Sequence, residues 1–480
     1  MKVELMRGLG NFIGPPHFGS RILSTALMKD ERLDVHFNIE TVLNEVRGRS
    51  QLDSVDLGNI GNNRTALYKR WLDQLGSSFS LQKYTKIIPQ SVKCDTILYS
   101  ANNGMFDFPT ISSLLNAGLK VVVGGPTVTI HKRNMRNVLA SYGCKQLYNL
   151  TLVSGYVDLT TDLYSIIKNG RDFHIEDNDF STFWDCENDF IDPYISVLMK
   201  LDHNNPGRYN LPVVFDSHCW WGKCTFCSYP HLNKSSFVLN TTPEKVANNI
   251  ISSCEHYKTK KVHVHNDYFK FDSFNETVFE ILNECGIKIK IYSGIHMLNN
   301  MKYVNKVNKY VRELFLGIES FDNFSLKYIR KGYTKIAIDK AFNNIMNTCN
   351  KKLDFNISLI MDLPVKYKSS VIENYKSLKE LNRKLRNDKR FSVVLTPKLI
   401  EIGGHMRQTF IDNKHLKEAN LSSEIVCGKY RFWKILDELN IQTPDIYKLR
   451  STPLQRFDID GNIVESDLDL LSEDLIKELL

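Results

Sequence analysis

Two stretches of the sequence alternate short apolar runs with helical patterns, and this alternation constrains the fold more than any other feature. The first stretch spans residues 1–171, and the second begins at Leu211. Alternation of this kind predicts parallel sheets whose strands are joined by helices that cover them. We therefore expect an α/β chain with two parallel sheets.

The first stretch predicts a Rossmann-like sheet covered on both faces. Residues 45–90 have a weaker pattern and are a candidate insertion. The predicted strands are Lys2–Met6, Leu33–Ile39, Cys94–Ser100, Lys120–Val123 and Asn149–Ser154, and the predicted helices are Arg21–Met28, Pro109–Ala117, Asn134–Tyr142 and Asp162–Lys168.

Small residues end one of these strands, at Gly124, Gly125 and Pro126. Glycine allows a ligand to approach the backbone, and open α/β sheets bind ligands at the carboxyl ends of their strands. A tight turn explains the same residues without a ligand. Both interpretations stay open at this stage.

The second stretch predicts six βα-type strands, which curl into a full or partial barrel. The predicted strands are Leu211–Asp216, Lys261–His265, Lys288–Ser293, Glu313–Gly317, Phe355–Asp362 and Phe391–Leu399. The predicted helices are Thr242–Tyr257, Asn275–Cys285, a short one near Tyr303, Lys335–Cys349 and Val371–Leu385.

A loss of periodicity and a run of acidic and aromatic residues mark a linker between the two stretches. After the barrel we expect a small α+β region that recognises substrate, with a helix over Glu424–Leu439, a hairpin over Leu454–Val464 and a helix over Ser472–Leu480. The predicted units are 1–171, 172–205, 206–400 and 401–480.

Three cysteines follow the first barrel strand: Cys219, Cys224 and Cys227. Such a loop can hold an iron–sulfur cluster, or a zinc ion if His218 or His231 adds a fourth ligand. A redox pair at Cys224 and Cys227 is a third possibility. In a cubane, three thiolates leave one iron without a protein ligand and open to substrate.

Other features of the loop and of the whole chain narrow the class of protein. Trp220 and Trp221 lie beside the cysteines, either as packing or as a shield of a cluster from water. The chain has 480 residues, a net charge of +8 and ten cysteines. It begins without an apolar signal core and has no long apolar run, so we expect a cytoplasmic protein with reduced cysteines and no membrane span. The modest, dispersed charge does not lead us to expect nucleic acid binding.

The cysteine loop resembles that of the radical S-adenosylmethionine (SAM) superfamily. The resemblance implies a partial (β/α)6 barrel in which Cys219, Cys224 and Cys227 hold a [4Fe–4S] cluster and SAM chelates the open iron. The spacing here is C-x4-C-x2-C, whereas the usual spacing of the family is C-x3-C-x2-C.

Further residues match SAM-binding positions of that superfamily. Phe226 matches its aromatic residue before the last cysteine, and the Gly317–Ser320 run matches its GIES signature. Glu319 could instead cap a helix, and His265 could be a core histidine. The residues that the resemblance implies for SAM are Phe226, His265, Asp267, Ser293, Glu319 and Ser320.

The domain order is similar to a peptide-modifying subgroup with an N-terminal cobalamin-binding-like domain. The matching positions are Gly124, Gly125, Pro126, Ser154 and Gly155. No Asp-x-His-x-x-Gly loop supplies a histidine to cobalt, which leaves both a bound cobalamin and a domain without it open.

The resemblance implies C–C bond formation at an unactivated sp3 carbon of a ribosomally made precursor peptide. The form we expect is C-methylation through cobalamin, and cobalamin-free cyclopropane formation is the alternative. A small redox protein would donate electrons. Two other functional classes stay open: a tRNA methylthiotransferase and a metal-stabilised peptide-binding module.

Overall fold

The computed structural model describes the two sheets and most of their helices. The described residues are 1–7, 18–37, 92–101, 104–131, 135–141, 143–176, 178–186, 210–216, 219, 221–227, 236–238, 240–266, 268–349, 352–361, 376–377, 380, 390–397, 399–400, 425–426 and 447–449. Within these ranges, none of the helices is long and apolar enough to cross a membrane.

The first sheet is parallel throughout and has the strand order β2-β1-β3-β4-β5-β6. Apolar side chains from both of its faces are buried against helices, as the sequence predicts. The strands are β1 (Lys2–Arg7), β2 (Asp34–Phe37), β3 (Thr96–Ser100), β4 (Lys120–Gly124), β5 (Leu150–Ser154) and β6 (Phe173–His174). The helices are α1 (Phe18–Lys29), α2 (Gly104–Asn116), α3 (Pro126–His131), α4 (Met135–Ser141) and α5 (Leu163–Asn169).

The second sheet is also parallel and follows chain order from β7 to β12, with β15 added at its far edge. Its strands are β7 (Leu211–Val213), β8 (Lys261–Val264), β9 (Lys288–Ser293), β10 (Glu313–Glu319), β11 (Asp354–Met361), β12 (Phe391–Pro397) and β15 (Tyr447–Leu449). A separate antiparallel pair joins β13 (Leu399–Ile400) to β14 (Ile425–Val426).

Helices that begin at well-formed caps cover the second sheet. Thr242 caps α6 by accepting a hydrogen bond from the Lys245 amide at 3.2 Å, and Pro243 occupies its first turn. The helices of this unit are α6 (Pro243–His256), α7 (Ser273–Glu284), α8 (Ile295–Leu298), α9 (Met301–Tyr310), α10 (Asn323–Tyr328) and α11 (Lys335–Thr348).

The two sheet units are in direct contact. Arg21 of α1 is fully buried and donates from Nη1 to the Ser253 hydroxyl of α6 at 2.6 Å. Phe183 and Trp184 of the predicted linker are buried in the barrel core, and the Trp184 indole donates to the Phe237 carbonyl at 2.6 Å. The aromatic part of this linker therefore packs against the second sheet unit.

The α/β fold class with two parallel sheets is confirmed, and several element bounds differ from prediction. α2 begins at Gly104, five residues before the proline taken as its start, so Pro109 lies inside the helix. Ile425–Val426 is a strand, so the predicted helix from Glu424 is wrong there. The seventh strand β15 and helix α10 had no prediction. The predicted insertion at 45–90, the hairpin at 454–464 and the last helix lie outside the described residues.

Candidate functional site

The cysteine loop follows β7 and rests on the turn that follows α10. The Thr225 amide donates to the Ile329 carbonyl at 3.1 Å, and the Thr225 hydroxyl donates to the Tyr328 carbonyl at 3.4 Å. Cys219, Cys224 and Cys227 are all half-buried. The loop is therefore attached to the strand-β10 side of the barrel, although it starts at β7.

Trp221 fixes the same loop through its indole ring. Its Nε1 donates to the Arg330 carbonyl at 2.8 Å, and its ring lies 5.1 Å from that of His296. Gly332 has φ +75, and a Cβ atom there would lie 2.1 Å from two indole carbons. A glycine at 332 is required both by the left-handed backbone and by the indole packed against it.

Lys331 is a buried cation beside the cysteine loop. Its Nζ lies 3.3 Å from Oε1 of Glu319 and 5.7 Å from the centroid of the Phe226 ring. Burial lowers the pKa of Lys331, but the nearby charge of Glu319 opposes this, and the pKa is held well above its ordinary value. The structure thus places a buried lysine, paired with a carboxylate, beside the cysteine loop.

Glu319 is held toward this cation by an unusual backbone. It has φ +66 at a register shift in β10, and its carboxylate folds over Gly317, where a Cβ would lie 2.7 Å from Oε1. A non-glycine residue in the left-handed region costs free energy, and strain of this kind is common at functional sites. The Gly-Ile-Glu run therefore serves to turn a carboxylate inward at a strand end.

Tyr268, which follows β8, forms another side of the site. A Cβ at Gly294 would lie 1.8 Å from the Tyr268 ring, so the glycine after β9 makes room for this side chain. Burial raises the pKa of the Tyr268 hydroxyl, with the Lys331 charge opposing and the charges of Cys224 and Cys219 adding to the increase. A neutral phenol is thus maintained near two of the thiols.

Asn266, two residues after β8, connects this strand end to the end of β7. It is buried, its Oδ1 accepts from the Phe215 amide at 2.9 Å, and its Nδ2 donates to Asp216 at 3.1 Å. His265 lies beside His263, with ring centroids 4.0 Å apart. Asp267, a predicted SAM contact, lies outside the described residues.

The two predicted serines, Ser293 at the end of β9 and Ser320 just after β10, are both buried. The Ser320 hydroxyl accepts from the Asp322 amide at 3.1 Å, and Asp322 in turn caps α10. The Ser293 hydroxyl lies 3.4 Å from the Gly294 carbonyl. The structure thus groups Cys224, Phe226 and Glu319 around Lys331, with Cys219 and Cys224 near Tyr268. The hydroxyls of both serines are engaged by nearby protein groups.

Residue spacing did not single out Tyr268, His296 or the Lys331 charge as parts of the site. In the sequence Lys331 is simply followed by Gly332, and this pair by itself does not indicate a buried charge. Gly294 and Gly332 are the residues in the sequence that could have indicated the positions of Tyr268 and Trp221. An aromatic ring packs against each glycine and leaves no room for a Cβ atom.

The predicted ligand edge of the first sheet is explained by protein contacts. A Cβ at Gly125 would lie 2.5 Å from the Ala101 carbonyl oxygen, and one at Gly155 would lie 2.4 Å from that of Ile175. The Ser154 hydroxyl is 2.8 Å from Nδ1 of His174. Gly124 and Pro126 end β4 and begin α3. These residues therefore form close turns, and the neighbouring backbone by itself explains the two glycines.

The fit of the loop to a metal centre depends on its donor chemistry. In the described part of the chain, no group of three or more His, Cys, Asp and Glu side chains is arranged as a metal site. Three half-buried thiols within one nine-residue segment, beside a buried cation, are nevertheless a donor set suited to an iron–sulfur cluster. His218 and His231, the candidate fourth ligands of zinc, lie outside the described residues.

Comparison with known proteins finds solved structures of similar fold. No family model matches the sequence, and no curated protein matches it. A solved structure of the cobalamin-dependent SAM radical enzyme OxsB, with aqua-cobalamin and SAM bound, is similar over 91% of this chain and 66% of its own, with 16% sequence identity and a TM-score of 0.55. The apo, selenomethionine-labelled OxsB structure gives 91%, 65%, 15% and 0.54.

The chain has the fold of OxsB. The match covers both sheet units, and the chain spans about two thirds of the length of OxsB. At 16% identity the similarity establishes the fold and not the activity.

Proposed function

We propose that this protein is a radical SAM enzyme whose cluster is held by Cys219, Cys224 and Cys227. The observation that carries the proposal is the cysteine loop at the carboxyl end of β7, fixed against a Glu319–Lys331 ion pair. The OxsB fold supports it, since OxsB is described as a cobalamin-dependent SAM radical enzyme. Chemistry at the carboxyl ends of parallel strands is typical of barrel enzymes.

The residues around the loop have separable tasks in this proposal. A [4Fe–4S] cluster, when bound, would supply one electron to cleave the sulfonium of SAM. Lys331 stabilises negative charge on the adjacent thiols, and Phe226 and Trp221 cover the loop from water. Glu319 offers the one strongly oriented carboxylate that the described part of the chain directs toward this loop.

For the substrate we propose a ribosomally made precursor peptide that gains a C–C bond at an unactivated sp3 carbon. More specifically, we propose C-methylation through cobalamin, because the solved OxsB structures include complexes with aqua-cobalamin. Cobalamin-free one-carbon transfer that closes a cyclopropane is the alternative. A small redox protein would supply electrons. The other six described cysteines are free thiols, which is consistent with a location in the reducing cytoplasm.

The test is anaerobic reconstitution with iron and sulfide, followed by reduction with SAM present. The wild type should bind a [4Fe–4S] cluster and release 5′-deoxyadenosine, and Cys224→Ala should do neither. Cys254→Ala is the matched control, because Cys254 is a buried thiol of α6 far from the loop in sequence. A wild type that binds no cluster, or a cluster that never cleaves SAM, contradicts the proposal.

The same preparation separates the competing classes. One tightly bound zinc and no SAM cleavage would favour the peptide-binding module. With a candidate precursor peptide added, a mass gain of one CH2 group indicates methylation, and a gain of one carbon atom indicates ring closure. Modification of a tRNA instead of the peptide would favour the methylthiotransferase.

A further inference from the structure

The surface next to the cysteine loop carries exposed cations that the proposed site does not use. Lys223 is the residue immediately before Cys224, and Lys327 and Arg330 belong to the α10 turn on which the loop rests. All three side chains are exposed. The Trp221 indole links two of these residues, because its ring lies 5.2 Å from Lys223 Nζ and its Nε1 donates to the Arg330 carbonyl.

Carboxylates close to these cations in the chain are turned away from solvent. Glu319 is directed at Lys331, and its side chain is 12% exposed. Asp322 is buried and accepts from the Ser325 amide at 2.6 Å as the cap of α10. Among the described residues of 219–227 and 319–336, the exposed charged side chains are therefore all basic.

Two large apolar side chains are exposed beside the same cations. Phe324 is 40% exposed and lies one turn before Lys327 on α10, and Ile336 is 78% exposed at the start of α11. The Lys335 amide donates to Asn323 Oδ1 at 2.7 Å, which holds the starts of α10 and α11 together. Apolar residues within a charged rim are typical of protein interfaces.

We propose that Lys223, Lys327 and Arg330, with Phe324 and Ile336, form the docking surface for a small acidic electron-donor protein. This inference rests on the proposed function, because it assumes a cluster on the cysteine loop. One electron would leave the reduced cofactor of the donor, which is oxidised by one electron, and enter the cluster, which is reduced by one. Electron transfer is fastest over short distances, and this surface includes the exposed Lys223 of the cysteine loop itself, next to Cys224.

Charge complementarity selects the kind of partner. Transient redox complexes have small interfaces, and their association is accelerated by opposite charge. An acidic donor would be steered to three cations, whereas a basic one would be repelled. Because these charges are exposed to solvent, added salt should weaken the attraction between the donor and this surface.

The test compares the reconstituted wild type with the triple variant Lys223→Glu, Lys327→Glu, Arg330→Glu. The matched control is Lys260→Glu, Lys288→Glu, Lys302→Glu: three other exposed lysines with the same total charge change, two of them at the amino ends of β8 and β9. Cluster reduction is followed by stopped flow with a reduced acidic flavodoxin as one probe and reduced methyl viologen, a small cation, as the other.

We expect the surface variant to be reduced by flavodoxin about tenfold more slowly than the wild type at low salt, and the difference to shrink at high salt. The control variant should react like the wild type, and methyl viologen should reduce all three proteins readily. Equal flavodoxin rates for surface and control variants would overturn the docking surface. A wild type without a reducible cluster would instead contradict the proposed function, so the two failures are distinct.

Discussion

Substitution of Gly332 by alanine tests whether the cysteine loop is held by the indole of Trp221. An alanine Cβ would lie 2.1 Å from two indole carbons, well inside van der Waals contact, so the ring must move by more than about 1 Å. That movement also breaks the 2.8 Å hydrogen bond from Nε1 to the Arg330 carbonyl. Left-handed backbone adds strain, because Gly332 has φ +75.

A second glycine separates the cost of the clash with the indole from the cost of the left-handed backbone. Gly286 has φ +72 and nothing within 4 Å of its Cβ position. Gly286→Ala should therefore cost about 1 kcal/mol from the left-handed backbone alone. Gly332→Ala should cost this plus about 1–3 kcal/mol of overpacking and about 1 kcal/mol for the hydrogen bond, or roughly 3–5 kcal/mol in total.

The assay is urea unfolding of the apo protein by far-UV circular dichroism, with iodoacetamide labelling of the loop cysteines mapped by mass spectrometry. Gly332→Ala should lower the urea midpoint more than Gly286→Ala and speed labelling of the loop. In a Trp221→Phe background, whose smaller ring leaves room for a Cβ, the cost of Gly332→Ala should fall toward that of Gly286→Ala. Equal costs for the two glycines in the wild-type background would refute the reasoning.

Other predictions concern the buried charges and thiols. Lys331→Met leaves the Glu319 carboxylate buried without its cation and should lower the free energy of unfolding in urea by about 3 kcal/mol. Adding Glu319→Gln should recover part of this loss. A double variant less stable than Lys331→Met alone would contradict the pairing. Arg21→Leu removes a fully buried contact between the two sheet units and should lower the thermal midpoint, so an unchanged midpoint would show that the contact does not hold them together. Burial raises the pKa of Cys254 to about 12 and of Cys349 to about 11, so at pH 8 on the order of one thousandth or less of either thiol is ionised. Both should resist alkylation in the folded protein, and labelling as fast as that of an exposed cysteine would contradict their burial.

The strands of the second sheet could be predicted because each carries a clear alternation. In β10, burial alternates at every residue from Glu313 to Glu319, which is the pattern of a strand with two different faces. The order from β7 to β12 then follows from right-handed crossovers between neighbours. β15 was missed because Tyr447–Leu449 is three residues long and follows no helix-and-strand repeat in the sequence.

The contacts of the site could be predicted only in part, because they join residues far apart in the chain. The three cysteines and the Gly-Ile-Glu run were visible as local patterns. The contact from Trp221 to Gly332 spans 111 positions, and neither residue type by itself indicates the other. Helix α10 was missed because Asn323–Tyr328 is six residues long, so its apolar period is too short to recognise.

The topology explains why so many side chains are needed to place one loop. β7 and β10 are separated by β8 and β9 in the sheet, a distance of about 14 Å at the usual strand spacing. The loop that starts at β7 must therefore cross two strand ends before Trp221 reaches the turn after α10.

Each strand end that the loop crosses supplies an aromatic side chain beneath it. Tyr268 follows β8 and His296 follows β9, with 6.4 Å between their ring centroids. His296 then contacts Trp221 at 5.1 Å and Tyr333 at 5.2 Å. The cysteines are thus supported by four neighbouring strands, and a loop supported in this way can hold three thiols in place while one face stays open to substrate. Removing the His296 ring should therefore loosen the loop even though His296 is not adjacent to any cysteine in sequence.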